Sequence, residues 1–163
     1  MNADVTTDAF RVSIDDRYFE DYTAGTTHEC GSLTVTEQEI IDFASRFDPQ
    51  SFHVDPVAAK DGPFGGLVAS GWHTVALMMR LFAKHYLSTV ASLGSPGVDE
   101  LRWLKPVRPG DRLHLRGRVL DTRSSRSDPG RGVVRTLAEL FDQDGTPLLR
   151  VTVVNLLRTR PSA

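Results

Sequence analysis

The segment 69-ASGWHTVALMMRLFAKH-85 holds the longest apolar stretch of the chain, and its spacing reads as a helix. Trp72, Val75, Ala76, Leu77, Met78, Met79, Leu81 and Phe82 occupy much of the helical circumference, so burial on most sides is expected. Arg80, Lys84 and His85 follow in its C-terminal half, where cations suit the helix dipole. The apolar run is broken by Arg80 and is too short to span a bilayer. After Gly94 the period changes from helical to alternating, and residues 98–107, 112–122, 132–141 and 148–157 read as strands. In the second of these, Leu113, Leu115 and Val119 face one way while Arg112, His114, Arg116 and Arg118 face the other. With a further strand over 26–35, the chain reads as α+β: an antiparallel sheet of about five strands wrapped around one long central helix.

Upstream of that helix, Thr36-Glu37-Gln38-Glu39 fits a capping box, and Ile40, Ile41, Phe43, Ala44 and Phe47 then fall on one helical face. Pro49 bars the preceding residue from the α region, so this helix ends at or before Asp48, and 50–54 should be irregular or extended. Asp55-Pro56 restarts the chain as an N-cap and first helical residue, giving a short helix through Ala59. Residues 1–17 show no sustained period and read as a tail or loosely attached arm, with the domain over 18–158 and a short tail at 159–163.

Composition agrees with one globular domain: 163 residues, 40% hydrophobic and 25% charged. Nineteen Lys and Arg against 21 Asp and Glu leave a net charge of −2, which argues against a nucleic-acid surface. Cys30 is the single cysteine, so no internal disulfide or Cys-x-x-Cys pair exists and a reducing compartment is expected. The opening MNADVTTDAF lacks the apolar run of a secretory leader, and the expected location is cytoplasmic.

Chemistry is concentrated in 47-FDPQSFHVDP-56, where Asp48 and His53 stand five residues apart in a segment that cannot be continuous helix. A fixed bend there would let carboxylate and imidazole share a water in acid/base work. At the negative end of a helix dipole, Asp48 is expected to have a raised pKa. The same residues also suit a plain turn, with Asp48 capping local backbone and His53 at the surface. Asp55 is explained by its N-cap position. Ser70 and Gly71, opening the long helix, offer backbone amides and the positive dipole end to an oxyanion, or simply tight packing with Ser70 as N-cap. His73, His85 and His114 have no metal-ligand spacing, and no phosphate-binding glycine loop or serine nucleophile elbow is present, so no metal or nucleotide cofactor is expected.

Together, residues 43–73 resemble the MaoC-like acyl dehydratases, the family that includes the (R)-specific enoyl-CoA hydratases with a single hotdog domain. The family's Asp-x4-His motif is met by Asp48 and His53, its following His-x-Asp-Pro by His53, Asp55 and Pro56, and its helix-opening glycine by Gly71. Downstream, 104-LKPVRPGD-111 is similar to the family's strand-to-strand connection. The family's Gly-Asp-x-Asn-Pro-x-His stands here as Phe-Asp-Pro-Gln-Ser-Phe-His. The histidine that often precedes the helix glycine is Ser70 here, and a helix serine that assists the pair maps to Met79.

The resemblance implies reversible hydration of a trans-2-enoyl thioester to an (R)-3-hydroxyacyl thioester. Asp48 and His53 would be catalytic, the Gly71 amide would polarise the carbonyl, and Gln50, Ser70 and Trp72 would contact substrate. It also implies a homodimer, with coenzyme A entering only as part of the acyl-CoA substrate; Arg102, Arg108, Arg126 and Arg131 are candidates for its phosphates. Two alternatives stay open at this point: a hotdog thioesterase, and a non-catalytic acyl-binding subunit of a heteromeric dehydratase.

Overall fold

The computed structural model describes residues 7–162. Its elements in chain order are β1 (Thr27–Thr34), α1 (Glu37–Phe47), α2 (Ser51–Val54), α3 (Gly71–His85), β2 (Gly97–Trp103), β3 (Arg112–Ser124), β4 (Arg131–Phe141) and β5 (Pro147–Arg158). Short 3-10 turns lie at Phe19–Asp21 and Ala58–Asp61. The strands form one antiparallel sheet in the order β1-β3-β4-β5-β2.

The sheet curls around α3, which is the α+β hotdog arrangement expected from the sequence. Its inward residues, including Leu113, Leu115, Val119, Ala138, Leu140, Leu149 and Val151, bury against Leu77, Met78, Leu81 and Phe82 of the helix. Removing such apolar surface from water is the main stabilising contribution, roughly 1.5–3 kcal/mol for each large side chain.

Helix α3 is more amphipathic than its composition suggested. Trp72, Ala76, Met79, Arg80 and Ala83 form an exposed stripe at spacings of three and four, so the helix is buried along one side and not on most sides. One face meets the sheet, and among the described residues no element covers the exposed stripe. Residues 51–54, expected irregular or extended, form a single helical turn, because Pro49 constrains only Asp48 and leaves Gln50 free to act as an extended N-cap. The Asp55 carboxylate accepts from the Val57 and Ala58 amides at 2.9 and 3.0 Å, as a cap should, although the turn it leads into is 3-10 and begins at Ala58. Strand β2 stops at Trp103, short of the expected 107, and residues 104–107 leave the sheet.

The described part of the N-terminal arm is docked more firmly than a loose tail. Asp8 exchanges hydrogen bonds with the Thr27 backbone, and Phe10 stacks on His28 at 3.8 Å. The buried Arg17 guanidinium lies 3.4 Å from the Phe10 ring centre and donates to the Tyr86 carbonyl at 2.7 Å. Burial pushes the Cys30 thiol up to about 12, which leaves it an inert core residue. Among the described residues, no helix is long and apolar enough to cross a membrane.

Candidate active site

Three local structures bring the candidate residues together. The α1 helix begins in the expected capping box, with the Thr36 hydroxyl accepting from the Glu39 amide at 3.1 Å, and ends where Asp48 donates its N–H to the Ala44 carbonyl. The single turn α2 swings His53 back towards that C-terminus. From α3 comes the N-terminus, where Ser70 caps the helix by accepting from the Trp72 N–H at 3.3 Å.

At the junction, Asp48 Oδ2 lies 3.4 Å from His53 Nε2. His53 is buried, and its Nδ1 is 2.7 Å from the Val68 carbonyl. A carbonyl only accepts, so Nδ1 carries the hydrogen and the ring is fixed with Nε2 towards Asp48. The carboxylate receives two further bonds, from the Ser70 hydroxyl to Oδ2 at 2.6 Å and from the Gln50 amide to Oδ1 at 2.7 Å.

These bonds reverse the expectation for Asp48. The Ser70 hydrogen bond, helped by Gln50 and by the nearby His53, holds its pKa below the usual carboxylate value despite some desolvation. Direct donors to the charged form outweigh the distant helix dipole. Ser70, expected to contact substrate, is 0% exposed and does not line the cleft, and its hydroxyl donates to Asp48.

The pair opens on a cleft of about 450 Å³ lined by Asp48, His53, Gly71 and Thr74 together with the aromatic rings of Phe52, Phe64, Trp72 and Trp103. Gly71 is the first residue of α3, so its N–H has no acceptor within the helix, and the residue lines the same cleft as the pair. Trp103 packs directly on Gly71. A Cβ there would lie 2.7 Å from the indole, and the indole N–H donates to the Gly71 carbonyl at 2.8 Å. Trp72, 59% exposed, meets Trp103 edge-to-face at 5.3 Å and forms part of the rim. Met79 lies on the exposed face of α3 and does not line the cleft.

Reading by sequence missed Phe52, Phe64, Thr74, Trp103 and Lys105 as lining residues. Phe52 lies inside the quoted motif, but Trp103 and Lys105 reach the cleft only because β2 ends beside the start of α3. Of the four arginines considered for phosphate contacts, Arg108 is near the cleft, donating to the Phe64 carbonyl at 2.7 Å. Arg102 lies on the edge strand β2, Arg131 opens β4 beside Asp128, and Arg126 sits in the β3–β4 loop. Among the described residues, no group of three or more His, Cys, Asp or Glu is placed to hold a metal.

Comparison with known proteins adds to this geometry. The solved MaoC-like dehydratase from Rhodospirillum rubrum superposes with a TM-score of 0.83 at 37% identity, covering 90% of this chain and 99% of that one. The 3-hydroxyacyl-thioester dehydratase Z of Mycobacterium tuberculosis is 32% identical over 119 residues, 70% of this chain and 75% of that protein. The uncharacterized YdeM of Bacillus subtilis is 31% identical over 124 residues, 76% of this chain and 86% of its own length. The model for the MaoC like domain matches residues 22–139, and with the hotdog sheet and helix already in view, the chain belongs to the MaoC-like dehydratase family.

Proposed function

We propose that this protein catalyses reversible hydration of a trans-2-enoyl thioester to an (R)-3-hydroxyacyl thioester, with coenzyme A as carrier and no further cofactor. The observation that carries this reading is the convergence of Asp48, His53 and the helix-opening Gly71 on one aromatic-lined cleft. Water held between Asp48 Oδ2 and His53 Nε2 attacks C3 of the enoyl group. Its proton passes to the pair, and the pair returns a proton to C2, so one water adds overall. The Gly71 N–H takes the thioester oxygen as enolate character develops, a donor of the kind worth ~10²- to 10³-fold in acyl chemistry. The Asp48 carboxylate suits the task because Ser70 and Gln50 occupy only two of its roughly four acceptor positions.

Phe52, Phe64, Trp72 and Trp103 are apolar walls suited to an acyl chain, while Lys105 on the lining and Arg108 near it are cations suited to carrier phosphates. A homodimer in the cytoplasm belongs to the same proposal. Support for the dimer is the outer edge of β2, which carries the exposed apolar residues Val98 and Trp103.

The test is loss of the conjugated enoyl-thioester absorbance with crotonyl-CoA and a longer 2-enoyl-CoA. Turnover by the parent that collapses in folded Asp48→Asn and His53→Ala supports the proposal. No turnover of either substrate, or variants as active as the parent, overturns it. Thiol release from a saturated acyl-CoA would then favour a thioesterase, and binding without turnover a non-catalytic subunit.

A further inference from the structure

We propose that Ser70 is a positioning residue for the hydration reaction, aiming the Asp48 carboxylate at the water and tying it to the Gly71 amide. The inference rests on the hydration reading and assigns a residue to that same site. Ser70 is fully buried and absent from the cleft surface, so it acts only through what it touches. Its hydroxyl donates at 2.6 Å, the short range of a charge-assisted bond, to Oδ2, the oxygen nearest His53 Nε2. Its own backbone leads directly into Gly71.

One side chain therefore spans 22 residues of sequence to join the C-terminus of α1, which carries the base, to the N-terminus of α3, which carries the oxyanion donor. Gln50 grips the other oxygen from within the same loop and carries no such link to α3. Without Ser70 the carboxylate is held by a side-chain hydrogen bond only at Oδ1, by Gln50, and the link from Oδ2 to the start of α3 is lost.

Ser70 also caps α3, and that structural role must be separated from positioning. Glycine at an N-cap is nearly as good as serine but has no hydroxyl, so Ser70→Gly removes the bond to Asp48 while largely keeping the cap. Threonine keeps both. The titratable groups facing Asp48 are His53 of α2 and, on the same cleft, Lys105; both are unchanged in these variants.

The experiment measures kcat and KM against pH for the parent, Ser70→Gly and Ser70→Thr, with the Asp48 carboxyl titrated by NMR in the same full-length proteins. The expected result for Ser70→Gly is a kcat lower by about 10-fold or more with KM within about twofold. Its acid limb moves to higher pH, the Asp48 titration moves up with it, and Ser70→Thr restores all three. A Ser70→Gly variant with the parent's kcat and acid limb overturns the proposal. Should the parent hydrate no enoyl thioester, the hydration reading itself fails, and a positioning role falls with it. The titration then still shows whether Ser70 holds the Asp48 carboxylate, since identical Asp48 titrations in parent and variant would exclude even that.

Discussion

Substituting Gly71 by alanine tests the contact between Trp103 and the start of α3. Gly71 has no positive φ, so alanine fits the backbone and the effect is confined to the added methyl. That Cβ would stand 2.7 Å from Cε2 and Nε1 of Trp103 and 3.1 Å from Cδ2. Carbon contacts settle at about 3.5–4.0 Å, so the indole must retreat by about 1 Å. The 2.8 Å bond from Nε1 to the Gly71 carbonyl then stretches beyond useful length, at a loss of about 0.5–1.5 kcal/mol. Crowding adds roughly 1 kcal/mol, near the low end of overpacking costs because Trp103 is 46% exposed and can yield. Against this, alanine gains up to about 1 kcal/mol over glycine in a helix. The net expectation is destabilisation of order 1 kcal/mol, or about 2–4 °C in Tm for a chain of this size. The chain has only two tryptophans, so a Trp72→Phe background makes Trp103 the sole indole reporter. Thermal unfolding followed by its emission should show the lower Tm and a native emission altered at the outset. An unchanged native spectrum together with a Tm equal to or above that of the background would refute the steric argument.

Two more expectations concern the rest of the molecule. His73 is buried, stacks on Phe43 at 4.7 Å and has an Nδ1 without a partner among the described residues; burial lowers its pKa, with Glu39 opposing. The unfolded chain therefore binds the proton more readily, so His73 weakens the fold as pH drops below the ordinary imidazole value of about 6.5. Urea unfolding should show a smaller stability loss between pH 7.5 and 5 in His73→Leu than in the parent, with the similarly lowered His28 retaining part of the slope. Equal slopes would contradict the assignment. Light scattering on the eluting protein should give twice the 18.0 kDa chain mass, and a monomer at micromolar concentration would count against pairing through the β2 edge.

Much of the fold was legible because its signals are local. The Thr36–Glu39 capping box needs only four neighbouring residues, and the structure has it as read. Alternation placed β3, β4 and β5 to within a few residues, since period-two patterning records which face of a strand is buried. Where the reading failed, a longer-range contact decided. Strand β2 was extended too far because Leu104, Pro106 and Val107 keep an apolar look, although 104–106 line the cleft and Val107 is buried in the core. The exposed stripe of α3 was taken as buried because composition reports how apolar a helix is, not how many neighbours the fold supplies.

For the candidate site, sequence by itself offered the pairing of Asp48 with His53 as one of two readings, since Pro49 forces a break between α1 and α2; the other, a plain turn with His53 at the surface, gives way to the burial of His53 beside Asp48. Sequence did determine Gly71 as the opening of the core helix. Only the tertiary structure decided the state of the carboxylate. Ser70 is 22 residues from Asp48, and its hydroxyl reaches Oδ2 only when α3 docks beside the end of α1. That contact changes the expected direction of the Asp48 pKa, because a hydrogen bond at 2.6 Å to the charged form is stronger than the diffuse field of a helix end. The same docking sets Trp103 of β2 against Gly71, giving the cleft a wall that no local pattern in the chain could announce.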